Sequence, residues 1–189
     1  MTQEIIFAGF GGQGILSMGK FLAFGGMVEE MNVSWCPSYG PEMRGGTANC
    51  SVVLSTEEIG SPLITAPDSI VVMNRPSLDK FESTVKPGGL IILDSNLVSR
   101  DVKRTDVNVI KIPSQEEAEK IGSKTIANMI LLGALVESTG VIPMESLLTA
   151  LKDHGKEKFY DMNKAAIDLG VAYAKAQLME TSFMKTSIE

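Results

Sequence analysis

Glu4-Ile5-Ile6-Phe7-Ala8-Gly9-Phe10-Gly11-Gly12-Gln13-Gly14 decides how this chain is read. Ile5–Ala8 is an apolar run of strand length. A glycine-dense turn follows, and a helical pattern starts at Ile15. Gly9, Gly11 and Gly14 fit G-x-G-x-x-G, and Gly12 adds a fourth small residue. Such a turn reaches positive φ and lets a phosphate approach the backbone. The helix behind it points free amides and partial positive charge at an anion. The same pattern also serves as a tight turn, so its surroundings have to discriminate.

Outward from this turn, strands and helices alternate. The first helix is predicted over Ile15 to about Met31, with Gly25-Gly26 set to fray or kink it. Val33-Ser34-Trp35 reads as a short strand and Thr47–Leu54 as an alternating, β-branched one. Glu57–Pro62 reads as a turn, with a short hairpin partner at Ile59. Ser69–Met73 and Leu90–Asp94 are buried strands, and Val107–Ile112 is another. Pro76 opens a short helix, and Ser114 is predicted to cap the next one. Helices are expected over Thr125–Ser138, Met144–Leu151 and Glu157–Met179. In the last, Phe159, Met162, Ala165, Ala166, Leu169 and Tyr173 share one face. The order implies a three-layer α/β/α fold with a mixed, mostly parallel sheet and a Rossmann-like glycine loop after the first strand. Residues 1–180 are expected to form a single domain, and 181–189 a frayed tail.

The 189 residues suffice for one full core. A net charge of −6 argues against general nucleic-acid binding. Residues 1–60 carry only Lys20 and Arg44 as cations, so an anion there must lean on backbone amides. Cys36 and Cys50 are too few for a four-thiolate zinc or iron–sulfur site. No signal peptide is evident. Ile126–Val136, the most apolar later stretch, is too short to span a bilayer. A cytoplasmic chain is expected.

The familiar nucleotide motifs fit poorly. An NAD site needs an acid about 20 positions on, at the end of the second strand. Glu29 and Glu30 have that spacing but precede that strand. Gly14 to Lys20 matches G-x-x-x-x-G-K, but Phe21 stands where a magnesium-binding Ser or Thr is required. Ser38-Tyr39-Gly40-Pro41-Glu42-Met43-Arg44-Gly45-Gly46-Thr47 is an irregular, densely polar loop. Tyr39 and Arg44 face either a phosphate or a partner there, or Arg44 pairs with Glu42 in solvent. Asn128 opens the apolar helix, as packing or as a polar contact to the glycine loop. His154, the only histidine, lies on a polar helix end and reads as solvated.

Three segments in order carry a resemblance: Gly9-Phe10-Gly11-Gly12-Gln13-Gly14, Ser38 to Gly46, and Asn128-Met129-Ile130-Leu131-Leu132-Gly133. Asn163 to Gly170 adds a fourth. Together they resemble the gamma subunits of the 2-oxoacid:ferredoxin oxidoreductases (the pyruvate/ketoisovalerate oxidoreductase family), most nearly the 2-oxoglutarate type. The likeness runs from about Gln3 to Lys175. It implies a non-catalytic subunit of an enzyme that forms acyl-CoA, carbon dioxide and reduced ferredoxin. It also implies that alpha and beta subunits, with or without a ferredoxin-like delta subunit, carry thiamine diphosphate and iron–sulfur clusters. This chain would bind no cofactor tightly. Gly9, Gly11, Gly12, Gln13, Gly14, Tyr39, Arg44 and Asn128 would contact coenzyme A, which needs no ribose-binding acid. A purely structural subunit, the small subunit of an indolepyruvate enzyme and a stand-alone NAD-binding protein are the alternatives.

Overall fold

A computed structural model describes residues 1–38 and 47–186. The strands are β1 (Thr2–Phe10), β2 (Asn32–Ser38), β3 (Thr47–Ser55), β4 (Ser69–Val72), β5 (Leu90–Asp94) and β6 (Asn108–Ile112). The helices are α1 (Ile15–Val28), α2 (Arg75–Phe81), α3 (Ser114–Ile121), α4 (Ala127–Thr139), α5 (Met144–His154) and α6 (Tyr160–Thr186). The strands form one mixed sheet in the order β2-β3-β1-β4-β5-β6. β1–β4, β4–β5 and β5–β6 pair in parallel, while β3 pairs antiparallel with β1 and β2.

Period-two side-chain direction explains the continuous apolar runs. Ile5, Phe7, Val71 and Ile92 point into the main core, with Met18 and Leu22 of α1 and Ile130 and Leu131 of α4. Ile6, Ala8, Ile70, Val72, Ile91 and Leu93 point to the opposite face, under Leu78 of α2. The central strands are therefore buried on both faces, and the layers are unequal. α1, α3, α4, α5 and α6 supply residues to one side, and among the described residues α2 is the helix that supplies the other.

Several local expectations change. α1 ends at Val28, and Glu30 takes a left-handed conformation (φ 56°) just beyond it. α1 continues through Gly25 and Gly26; a Cβ on Gly26 would sit 2.5 Å from a Leu54 methyl, so the glycine seats the helix on β3. β2 extends through Ser38, past the predicted end at Trp35. Ile59 forms no strand. Ser114 is the first residue of α3, with Pro113 at the cap, and makes no capping bond. On α6 the buried stripe is Ala166, Ile167, Gly170 and Ala174, while Ala165 is exposed, as is Phe159 just before the helix. The reason is a close crossing with α4: a Cβ on Gly170 would lie 1.9 Å from the Ile130 carbonyl oxygen. Among the described residues no helix is long and apolar enough to cross a membrane.

Candidate functional site

The glycine turn sits where the sheet divides its connections. β1 leads into α1 on one face, and its parallel neighbour β4 leads into α2 on the other. Crevices outside the carboxyl ends of such a strand pair are where open α/β sheets bind ligands. The turn itself is built by its own residues. The Gln13 N–H donates to the Phe10 carbonyl at 3.2 Å, and Gly12 and Gly14 take φ of 92° and 76°. Gln13 braces it. Its Oε1 accepts the Phe10 N–H at 2.6 Å, and its Nε2 donates to the Met73 carbonyl at 3.1 Å. The turn is thereby tied to the end of β4.

Gly14 is also the cap of α1, so no side chain caps the helix, and the first turn has no acidic residue. The amides of Ile15, Leu16 and Ser17 precede the first closed helical bond, from the Met18 N–H to the Gly14 carbonyl at 3.1 Å. No carboxylate in that first turn neutralises these amides or the helix's positive end. Gly11 and Gly12 are exposed, and a Cβ on Gly12 would meet nothing within 4 Å. A shallow groove of about 260 Å³ runs over this turn, walled by Phe10, Ser17 and Ala48. The arrangement suits a phosphate held by backbone N–H groups.

Asn128 comes to the turn from 114 residues away. Its Nδ2 donates to the Gly14 carbonyl at 3.1 Å. A Cβ on Gly14 would lie 2.3 Å from that nitrogen, so only glycine fits both the backbone conformation and the contact. Of the residues expected at this site, Gly9, Gly11, Gly12, Gln13, Gly14 and Asn128 are brought together. Gly9 is buried beneath the turn, with the Gln13 Oε1 2.6 Å from where its Cβ would be. Tyr39 and Arg44 lie outside the described residues. The role of Gln13 as a brace had no signal in the sequence beyond its place within the glycines.

Features that compete for a role fall elsewhere. β3 lies between β1 and β2, so the usual neighbour position for a ribose-binding acid is absent. Glu29 instead accepts a hydrogen bond from the Ser146 hydroxyl. Lys20 stands in the second turn of α1 with its ammonium 5.4 Å above the Phe24 ring. His154 stacks on the same Phe24 ring, with centroids 3.5 Å apart and planes 10° from parallel. Cys50 is buried, and burial pushes its thiol up to about 12. Cys36 is exposed. Among the described residues no three His, Cys, Asp or Glu side chains are grouped to hold a metal.

Residues 4–173 match the family model described as pyruvate ferredoxin/flavodoxin oxidoreductase. The chain belongs to this oxidoreductase family. It is similar to the ketoisovalerate oxidoreductase subunit VorA of Methanothermobacter thermautotrophicus, 42% identical over 175 residues. That alignment covers 90% of this chain and 36% of the relative, so the chain spans about a third of that protein's length. It is also similar to the 2-oxoglutarate synthase subunit KorC of Methanocaldococcus jannaschii, 35% identical over 93% of this chain and 95% of the relative. Among solved structures, a keto/oxoacid ferredoxin oxidoreductase gamma subunit from Geobacter sulfurreducens superposes with a TM-score of 0.82 at 28% identity. It covers 92% of this chain and 99% of that one. A 2-oxoglutarate:ferredoxin oxidoreductase from Magnetococcus marinus, solved with 2-oxoglutarate, coenzyme A and succinyl-CoA bound, superposes with a TM-score of 0.83 at 29% identity. There the match covers 93% of this chain but 31% of that one. In the oxidoreductase family this fold therefore occurs both as a chain of its own and within a longer one.

Proposed function

We propose that the chain is the non-catalytic gamma subunit of a multisubunit 2-oxoglutarate:ferredoxin oxidoreductase, and that it holds coenzyme A by its phosphates. The observation that carries this reading is the uncapped, acid-free N-terminus of α1 beside exposed, positive-φ glycines. Coenzyme A carries a pyrophosphate and a ribose 3′-phosphate, the groups that such a turn binds. The Magnetococcus relative is described with coenzyme A and succinyl-CoA bound, and the KorC relative is named as a 2-oxoglutarate synthase subunit.

In this reading Gly11, Gly12 and the amides of Ile15–Ser17 receive phosphate oxygens. Gln13 and Asn128 fix the turn from β4 and α4, and Tyr39 and Arg44 are assigned to the same ligand. Coenzyme A supplies a thiol that accepts the acyl group. Alpha and beta subunits, with or without a ferredoxin-like delta subunit, carry the thiamine diphosphate and iron–sulfur clusters. The isolated chain is then inactive. Free thiols at Cys36 and Cys50 fit a reducing, cytoplasmic setting. The chain would bind neither nucleic acid nor membrane.

The test is anaerobic purification of the tagged chain from its host, with viologen reduction assayed on 2-oxoglutarate, pyruvate, branched 2-oxoacids and indolepyruvate. Coenzyme A-dependent activity on 2-oxoglutarate with co-purifying subunits is the expected result. Activity on indolepyruvate alone would move the chain to that enzyme. A lone inactive chain would remove the oxidoreductase role.

A further inference from the structure

A second cleft opens on the other side of the first turn of α1, and Ser17 borders both. Its volume is about 240 Å³. Its walls come from α1, from the approach to α4, and from the start of α6. Among the described residues no charged side chain lines it. Ser123, Thr125, Asn128 and Asn163 offer neutral donors and acceptors, and Phe21 and Phe159 offer aromatic surface. Phe159 is 42% exposed, so its ring is available to a visitor.

Asn128 joins this cleft to the glycine turn. Its Nδ2 is spent on the Gly14 carbonyl, while its Oδ1 is buried and accepts no hydrogen bond among the described residues. Asn128 is 4% exposed. A buried acceptor left without a donor is unfavourable, and a donor brought by a ligand would relieve it. A flat aromatic group with an exocyclic amine and ring nitrogens satisfies every part of this environment. It stacks on an aromatic ring, pairs with carboxamides as adenine does and brings no charge.

We propose that this cleft is the purine subsite of the same ligand, with the adenine amine directed to the Asn128 oxygen and the ring against Phe159 and Asn163. The inference rests on the coenzyme A reading and divides the molecule in two. Phosphates lie over the glycine turn, and the base lies across the first turn of α1. The base thereby reports on the same residue, Asn128, that fixes the turn.

The experiment uses the intact enzyme complex and three probes: 1,N6-etheno-coenzyme A, adenosine 3′,5′-bisphosphate and 4′-phosphopantetheine. The etheno compound has no amine hydrogens and should show a Michaelis constant about tenfold above that of coenzyme A. Phe159→Ala and Asn163→Ala should each raise the inhibition constant of adenosine 3′,5′-bisphosphate against coenzyme A by about tenfold. They should raise that of 4′-phosphopantetheine much less. Equal losses for both probes would assign the cleft to the pantetheine arm and overturn the proposal. No loss for either probe would overturn it as well. In that case a coenzyme A defect in a glycine-turn variant would leave the phosphate reading standing, and the lack of one would remove that too.

Discussion

Gly170→Ala places one methyl group at the tightest point of the fold. The new Cβ would lie 1.9 Å from the Ile130 carbonyl oxygen, 2.8 Å from its carbonyl carbon and 2.9 Å from the Ala134 nitrogen. All three are backbone atoms of α4, so no rotamer can yield. To bring the oxygen contact up to 3.0 Å, α6 and α4 must part by at least 1.1 Å (3.0 − 1.9). A gap of roughly 1 Å forfeits a quarter to a half of each dispersion contact along the crossing. Ile130, Ala134, Ala166 and Ile167 are all buried there. Overpacking of this kind costs about 3 kcal/mol at the upper end of its usual range. The gain in helix propensity from Gly to Ala offsets about 1 kcal/mol. The net is about 2 kcal/mol of lost stability, which lowers the urea midpoint by roughly 1 M at an ordinary slope. Gly60→Ala, where a Cβ meets nothing within 4 Å, serves as the control. A Gly170→Ala protein as stable as the parent, or more stable by the propensity difference, would refute the close crossing.

Three further outcomes are expected. Glu82 is buried; burial alone would raise its pKa, but Arg100 at 2.7 Å and the Lys103 and Arg104 amides outweigh it and hold the carboxyl below its ordinary 4.5. A depressed folded value means its contribution is complete above pH 4.5 and drains as pH falls below it; Glu82→Gln should cost about 1.5–3 kcal/mol at pH 7 and flatten that acid slope in urea titrations. Cys36 should react with a thiol reagent at pH 8, whereas Cys50, pushed up to about 12 by burial, should react only on unfolding; two fast-reacting thiols in the native protein would contradict the burial of Cys50. Gln13→Ala removes both braces of the glycine turn, and should raise the Michaelis constant for coenzyme A about tenfold while leaving that for the 2-oxoacid near its parent value; an equal change in both would mean that the turn shapes the whole complex and not the coenzyme A site.

Local pattern carried much of the fold. β5 has the predicted bounds, Leu90–Asp94, because Pro87, Gly88 and Gly89 mark its start and its buried run is short. The alternation in Thr47–Leu54 gave β3, and the strand-and-turn region Thr47–Pro62 gave the expectation of a mixed sheet. What stayed hidden depends on distant partners. Gly26, Gly133 and Gly170 are helix breakers by local propensity, but they are the points where helices meet β3 or one another. β2 continues past its apolar residues because β3 pairs with Cys36, Pro37 and Ser38, none of which signals a strand. The site divides in the same way. The glycines were visible, and the contact of Asn128 with their loop was one of its two readings, whereas the Gln13 bond to Met73 spans 60 residues and had no signal. The neutral cleft assembles Ser17, Ser123, Thr125 and Asn163 from three separate segments, and no spacing in the sequence connects them.

Gly12 offers the most direct measurement. Its side-chain direction is open, and its φ of 92° is one that Asn and Asp tolerate better than other residues. Gly12→Asn and Gly12→Asp therefore differ in charge and little else. With the intact complex, the Michaelis constant for coenzyme A should be at least about tenfold higher for the aspartate variant than for the asparagine one, from like-charge repulsion of the phosphates. The difference should shrink as salt is added. Identical constants for the two variants, in complexes that assemble normally, would contradict coenzyme A phosphates at this turn.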